Sequence, residues 1–398
     1  MIYADLHIHI GRSLDGKPVK ITAASTLTVP NILTTARDVK GLTLIGLVDA
    51  HSSGVRKDFA ALSDAGVLKL LPGGGYRAGD LVVIPGTEIE FALGSGSAHL
   101  LAYFPDMAAV EEYVSIIRPY VRNWQLSSQK AFVPIEVWLG AVEKVGGIWL
   151  PAHAFTPHKG IYGNCCRRLP EVLPKMPLGL EIGLSADRRM ARSLSELDSV
   201  ELFSNSDAHS LPNLAREYNV LNLKENSFAG LSLLLEKKGG NLVANYGLLP
   251  EVGKYHRTYC LTCAEIVREE PPVLVCPRCG QDKIVMGVLD RLALIADRIL
   301  TSIPDAAIPS ASKYRYQVPL RQLPGVGPKM IRKLLDGFGT EMAILHEVPL
   351  ADLRRVAGEK ISRLIEYSRQ GTLQVLAGGG GIFGKVMAIS EDSLGLQD

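Results

Sequence analysis

No stretch of this 398-residue chain approaches the ~18 consecutive apolar residues that a membrane-spanning helix needs, although mean hydropathy is slightly positive at +0.14. A membrane span is therefore not expected. Neither charge dominates: 43 Lys and Arg against 41 Asp and Glu leave a net of +2. That excludes a histone-like polycation and a wholly acidic disordered chain, while leaving room for a local basic surface. The first residues, Met-Ile-Tyr-Ala-Asp-Leu-His, carry neither a charged n-region nor an apolar h-region, so no signal peptide is expected. The expected setting is a reducing cytoplasm. What is present is ordinary for a globular protein with a sizeable core: 47% apolar and 21% charged residues. The length predicts two or three domains.

Histidine and cysteine are unevenly placed. His7, His9, His51, His99, His153, His158 and His209 all fall in the first 209 residues, whereas Cys260, Cys263, Cys276 and Cys279 cluster further on. In the first ~250 residues, short apolar runs alternate with helical stretches. The runs are Ile2–His9, Leu42–Asp49, Leu81–Glu88, His99–Phe104, Gly147–His153, Gly179–Gly183 and Val200–Asp207. The helical stretches are Pro30–Lys40, Val110–Val121, Pro134–Val145 and Arg188–Leu197. Alternation of this kind predicts a mostly parallel sheet, closed into an α/β barrel. His7/His9, Asp49/His51, Glu88/Glu90, His153 and Asp207/His209 each end a run, and His99 begins one. Strand ends of one polarity share a face of a barrel, so these groups are expected to converge there. In a His-x-His strand both imidazoles point the same way, as a shared metal requires.

Imidazole mixed with carboxylate suits zinc, manganese or iron. Nine candidates, His7, His9, Asp49, His51, Glu88, His99, His153, Asp207 and His209, are too many for one ion and enough for two or three. Zinc is expected first, with manganese or magnesium as alternatives. A multinuclear site can activate a hydroxide and neutralise a phosphate. Asp5-Leu6-His7-Ile8-His9, Asp49-Ala50-His51, Glu88, His99, His153 and Asp207-Ala208-His209 resemble, in order, the motifs of the PHP (polymerase and histidinol phosphatase) superfamily. The resemblance implies a distorted barrel with two or three metals that hydrolyses phosphoesters. Ala50 departs from the adjacent Asp-His of many members, which puts direct binding by both Asp49 and His51 in doubt. Asp5 is expected to orient a histidine, and Glu90 ranks below Glu88. The loops Gly11–Thr22 and Ala154–Gly163 offer Ser13, Lys17, His158 and Lys159 at the barrel mouth for substrate phosphate or sugar. His158 stays open between ligand, proton donor and neither.

Cys260-Leu-Thr-Cys263 and Cys276-Pro-Arg-Cys279 are paired knuckles that predict one structural zinc, whose binding supplies the folding energy of a module with almost no core. Cys165 and Cys166 have no partner pair. A helix over Val288–Thr301 and a Pro/Ala/Ser linker over Ile303–Ser312 follow. Then Leu-Pro-Gly325-Val-Gly327-Pro-Lys329 resembles a helix-hairpin-helix, with Lys333 on the second helix and a degenerate second unit over Val348–Ser368. Its glycines let backbone amides approach a phosphate, and the next helix adds its dipole. From Ala311 to Arg369 there are eleven Lys or Arg and six Asp or Glu, a net of +5, so the rest of the chain carries −3. The glycines at 378–381 lack Walker spacing, and the end of the chain is expected to be a flexible tail.

The expected organisation is a barrel over 1–250, a zinc module over 255–285, a helix and linker over 286–317, a helix-hairpin-helix module over 318–370 and a tail over 371–398. Together the three parts resemble the endonuclease Q family. That resemblance implies a repair endonuclease cutting damaged DNA 5′ to uracil, hypoxanthine, xanthine and abasic sites. Flipped-out damage would be inspected by the two mouth loops. His7, His9, Glu88, His153 and Asp207 are the expected catalytic set, and other repair or replication proteins are possible partners. The rival readings are a phosphatase for a small phosphomonoester and a scaffold with a dead barrel.

Overall fold

The computed structural model describes residues 1–299, 313–373, 375–376, 378 and 381–387. Along the first two thirds of the chain the strands are β1 (Ile2–Ile8), β2 (Leu44–Leu47), β3 (Lys69–Leu70), β4 (Tyr76–Ala78), β5 (Leu81–Leu93), β6 (Gly96–Tyr103), β7 (Ile148–Pro151), β8 (Gly179–Glu181), β9 (Glu201–Phe203), β10 (Tyr218–Asn222) and β11 (Asn241–Gly247). The helices between them are α1 (Val29–Thr34), α2 (Ser53–Asp64), α3 (Met107–Ile117), α4 (Ile135–Lys144), α5 (Arg188–Ala191) and α6 (Phe228–Leu235). Every expected strand is present within a few residues. The result is a distorted α/β barrel, a ten-stranded sheet with β8 and β9 as a separate two-stranded pair.

The distortion lies in the pairing. β1, β2 and β5 run parallel, as do β8 and β9. However, β5–β6, β6–β7, β1–β10 and β10–β11 are antiparallel, so the sheet is mixed rather than mostly parallel. The cause is local. Gly94, at φ +54°, turns the chain back at once, and β5 and β6 form an antiparallel hairpin where parallel strands were expected. Glu88 and Glu90 consequently lie inside a 13-residue strand rather than at its end. The same reversal explains why His99 opens its run: it pairs directly with Glu90 in the hairpin register.

The four-cysteine segment folds as three short antiparallel strands, β12 (Tyr259–Cys260), β13 (Glu265–Ile266) and β14 (Ile284–Val285). Helix α7 (Val288–Ile295) follows. It ends at Ile295, with Ala296 in extended backbone, so it is shorter than the helix to Thr301 that the sequence predicts; the expected linker at 303–312 lies outside the described residues. Beyond them the chain returns to the barrel: β15 (Lys313–Tyr316) pairs parallel with β11.

The helical module then contains a single tight turn over Leu320–Gln322, where a helix was expected before the first hairpin. It continues with α8 (Pro328–Phe338), α9 (Glu341–His346), α10 (Leu350–Ala357) and α11 (Glu359–Gln370). Gly325 (φ +83°) and Gly358 (φ +81°) sit at the two hairpins, in the backbone region glycine tolerates best. The tail is folded in part: β16 (Val375–Leu376) pairs with β17 (Lys385–Val386).

Helix α9 locks this module to the barrel. The Lys40 ammonium donates to both Glu341 oxygens at 2.9 Å, and both residues are buried. At the far end of α9, His346 stacks on Tyr3 and meets the hydroxyl of Tyr218 at 2.6 Å. Glu341→Gln would leave a buried ammonium without its counter-charge, which costs roughly 3–5 kcal/mol. Thermal unfolding should therefore show a clearly lowered melting temperature. A melting temperature equal to that of the parent protein would contradict this role.

Candidate metal centre

The His-x-His strand β1 puts both rings on one face. His7 presents its Nδ1 to Glu181 Oε2 at 2.8 Å, while His9 presents its Nδ1 to Asp49 Oδ2 at 3.1 Å. With both Nδ1 atoms engaged by carboxylates, the two Nε2 atoms turn inward and lie 3.3 Å apart. Glu88 stands at the centre. Its Oε1 lies 2.9 Å from His99 Nδ1 and 3.4 Å from both His7 Nε2 and His153 Nε2. Its Oε2 lies 3.5 Å from His9 Nε2 and accepts from Lys20 at 3.2 Å and from Ser128. Asp207 closes the other side, with Oδ1 3.4 Å from His9 Nε2 and 3.5 Å from His209 Nδ1.

The groups arrive by two routes. His7 and Glu88 come from strands, and His9 follows directly on the end of β1. His153 and Asp207 come just after strand ends, at φ +28° and +45°, a region non-glycine residues seldom occupy. Burial opposes charge on Glu88, yet the cationic side chains around it, His99 and Lys20 first, hold its carboxyl well below the usual range. Asp207 is held low in the same way by the surrounding histidines, against the effect of burial.

Three overlapping groups have ligand atoms close enough to share an ion: His7, His9 and Glu88; Glu88, His99 and His153; and His9, Asp207 and His209. The donor set fits divalent metal. Imidazole nitrogens and carboxylate oxygens converge within reach of one ion in each group, and a divalent cation would satisfy both kinds of donor together.

Two of the nine expected ligands are placed otherwise. Asp49 is engaged by His9 and by the Ile10 N–H, at 2.7 Å, so it supports His9 and belongs to none of the three groups. His51, two residues on, turns away from the cluster. Its Nε2 donates to the Leu126 carbonyl at 3.2 Å and its ring packs on Trp124. Asp5 does not orient a histidine ring; it accepts backbone N–H groups of Ser206 and Ala215 and so pins the loop that carries Asp207. Its burial pushes the carboxyl up to about 6. Glu181 does the orienting instead, and the sequence reading passed over it. Glu90 is drawn aside by Lys159, 2.6 Å from its carboxylate.

A cavity of about 270 Å³ opens over the cluster. His158 and Lys159 line it, but Ser13 and Lys17 do not. Ser13 is buried and donates to Asp15 and to the Lys17 carbonyl, holding its own loop together, and Lys17 pairs with Asp15 at the surface. From that same loop Lys20 and Thr22 reach the cavity instead. Arg216, Lys254 and Tyr255, which the sequence did not single out, complete it, and His158 meets the Tyr255 ring edge to face. Lysine and arginine around a histidine–carboxylate cluster suit a phosphate.

The second metal candidate lies apart. Cys260 Sγ is 3.7 Å from Cys279 Sγ, and Cys263 Sγ is 3.9 Å from Cys276 Sγ, with all four thiols free of disulfides. Four sulfurs about 2.3 Å from a central zinc would lie about 3.8 Å from one another, so the cage has the size a tetrahedral zinc needs. Cys165 and Cys166 are buried, and burial pushes both thiols up to about 12, as expected of structural cysteines. Elemental analysis of purified protein should give three or four metals per chain, at least one of them zinc. A single zinc would mean that the barrel holds none.

The barrel and its histidine–carboxylate mouth define the class, a metal-dependent phosphoester hydrolase. The chain is 40% identical over 396 residues to the Bacillus subtilis (strain 168) protein YqxK, covering 97% of this chain and 99% of that one. It is 30% identical over 254 residues to the Methanocaldococcus jannaschii protein MJ0043, covering 59% of this chain and 31% of that one. No protein-family model matches it. Among solved structures, the lesion-specific endonuclease PfuEndoQ of Pyrococcus furiosus superposes with a TM-score of 0.82 at 25% identity, over 100% of this chain and 97% of that one. Endonuclease Q in complex with a 27-mer duplex bearing an abasic lesion superposes at 0.83 and 26% identity, over 100% and 98%. The chain belongs to the endonuclease Q family, and its enzyme class is that of metal-dependent nucleases.

Proposed function

We propose that this protein is a DNA repair endonuclease that hydrolyses the phosphodiester 5′ to abasic sites and to deaminated bases, uracil, hypoxanthine and xanthine among them, leaving a 3′-hydroxyl. The observation that carries this reading is the continuity between the buried ligand cluster, the cationic cavity above it and the basic helical module beside it. In this reading His7, His9, Glu88, His99, His153, Asp207 and His209 hold two or three divalent ions in the barrel, zinc first, with manganese or magnesium as alternatives. Cys260, Cys263, Cys276 and Cys279 hold one structural zinc. Barrel ions supply Lewis acidity, polarising a phosphoryl oxygen and making a water acidic.

The remaining steps belong to the chain. Glu181 and Asp49 fix the tautomers of His7 and His9 from behind. Lys20, tethered by Glu88 and Ser128, sits where it can pair with a non-bridging phosphate oxygen without swinging out of place. Lys159, Arg216 and Lys254 widen this cationic rim along the backbone. The damaged nucleotide leaves the stack to reach a cavity of this depth, with Tyr255 and His158 as the flat walls against which it rests. Gly325, Gly327, Lys329 and Lys333 all lie on the exposed side of the helical module and grip the duplex backbone without reading bases.

The test is a set of labelled duplexes, each with one lesion, incubated with the protein and manganese, magnesium or zinc. Nicking confined to the damaged strand is expected. Turnover of a free phosphomonoester with no nicking of damaged DNA would favour the phosphatase reading, and equal cutting of undamaged duplex would contradict lesion specificity.

A further inference from the structure

The tail carries a feature that the endonuclease reading does not use. Between β16 and β17 the chain turns back through Gly381, at φ +87°, and exposes Ile382, which is 73% accessible to solvent. The turn's described glycines are held by backbone hydrogen bonds. Gly378 N–H donates to the Glu251 carbonyl at 2.6 Å, Gly381 N–H to that of Lys254 at 3.0 Å and Gly384 N–H to that of Val252 at 2.8 Å. Behind Ile382, the Phe383 ring lies between two cations, 5.6 Å from the Arg216 guanidinium and 5.8 Å from the Lys254 ammonium. Those cations line the cavity over the ligand cluster, and Arg216 donates to the Asp207 carbonyl at 3.2 Å.

The turn is also a junction. On one side Ile382 and Phe383 border a groove of about 630 Å³ along the four-cysteine module. On the other, Phe383 and Lys385 border a groove of about 460 Å³ that runs past Arg216 to Arg321 and Pro324, at the first glycine hairpin. Arg216, Lys254, Arg321 and Lys385 thus make a positive track from the cluster to the helical module, complementary to a polyanion. An exposed aliphatic side chain on a fixed turn beside such a track is suited to enter a base stack.

We propose that Ile382 is a wedge for the damaged duplex: it takes the space the lesion nucleotide vacates on leaving the stack, and Phe383 braces it against Arg216 and Lys254. The proposal rests on the endonuclease reading and adds a residue that acts on the duplex rather than on the scissile phosphate. Its chemistry needs no base hydrogen bond, so it is indifferent to which lesion has flipped.

The experiment compares Ile382→Ser with the parent protein on two substrates: one lesion in a fully paired duplex, and the same lesion in an unpaired bubble. A wedge predicts a loss of about tenfold or more in nicking rate on the paired duplex, less than about twofold on the bubble, and recovery with Ile382→Leu. A fluorescent purine beside the lesion, read without nicking, should brighten on binding of the parent protein and brighten less with Ile382→Ser. Equal loss on both substrates, or no loss on either, would overturn the wedge. A parent protein that nicks neither substrate would instead overturn the endonuclease reading, so the two failures are distinct.

Discussion

Asp207→Asn should reduce nicking by on the order of 10²–10³-fold or more while leaving duplex binding close to that of the parent protein. The carboxylate faces three imidazoles, those of His7, His9 and His209. The amide has the same shape but no charge, so it removes a ligand charge without opening a cavity. Binding is spared because the track through Arg216, Arg321 and the helical module does not involve this side chain. Glu181→Gln is the companion variant. It preserves the contact to His7 Nδ1 and removes only the charge that strengthens it, and such supporting contacts are worth about 10–100-fold in metal affinity or activity. Metal content and nicking should fall together in this variant. If Asp207→Asn cuts a damaged duplex at the parent rate, the assignment of the cluster as metal centre is wrong.

The second large effect is expected at the four cysteines. Few apolar residues are buried among them: Val267 and Val273, with Ile284 at the edge. A core this small does not fold a segment of this length. Binding of a structural zinc to such a cage is worth about 10–16 kcal/mol in isolated modules, far more than the apolar burial offers. Cys276→Ser, which removes a ligand in the buried part of the cage, should release one zinc per chain and expose residues 255–285 to protease. A strong chelator should do the same to the parent protein. This module is tied to α7 through its Thr258 and Val273 N–H groups, which donate to the buried Asp290 carboxylate. Loss of zinc should therefore loosen α7 as well. Unchanged protease resistance in both experiments would show that the segment folds without metal.

Much of the fold was legible because strand ends were marked by chemistry. His-x-His, Asp-Ala-His and Asp-Ala-His each followed an apolar run, and an apolar run ended by ionisable groups has few explanations besides a strand aimed at a site. The pairing was not legible. A parallel crossover and a tight hairpin leave the same apolar pattern, and the short turn at Gly94 decided between them for β5 and β6. Ser13 and Lys17 shared a loop with Lys20, and nothing in the composition of that loop distinguishes a residue that staples it from one that reaches the cavity. Glu181 stands alone among apolar neighbours, and its role arises only from its meeting with His7, 174 positions away in sequence. Arg216, Lys254 and Tyr255 were hidden for the same reason. They flank no motif, and the barrel brings them to the mouth from separate loops. His51 shows the converse: a residue type and spacing suited to a ligand, turned by one intervening alanine toward Trp124 instead.

The central claim is that the cluster at the barrel mouth cuts a DNA backbone beside damage. The most direct measurement maps the nick on an end-labelled duplex with a single abasic site in the presence of divalent metal. The account predicts one cut, on the damaged strand, at the phosphodiester 5′ to the lesion, with a 3′-hydroxyl that a polymerase can extend. A cut 3′ to the lesion, cuts on both strands, or an intact duplex alongside hydrolysis of a small phosphomonoester would contradict it.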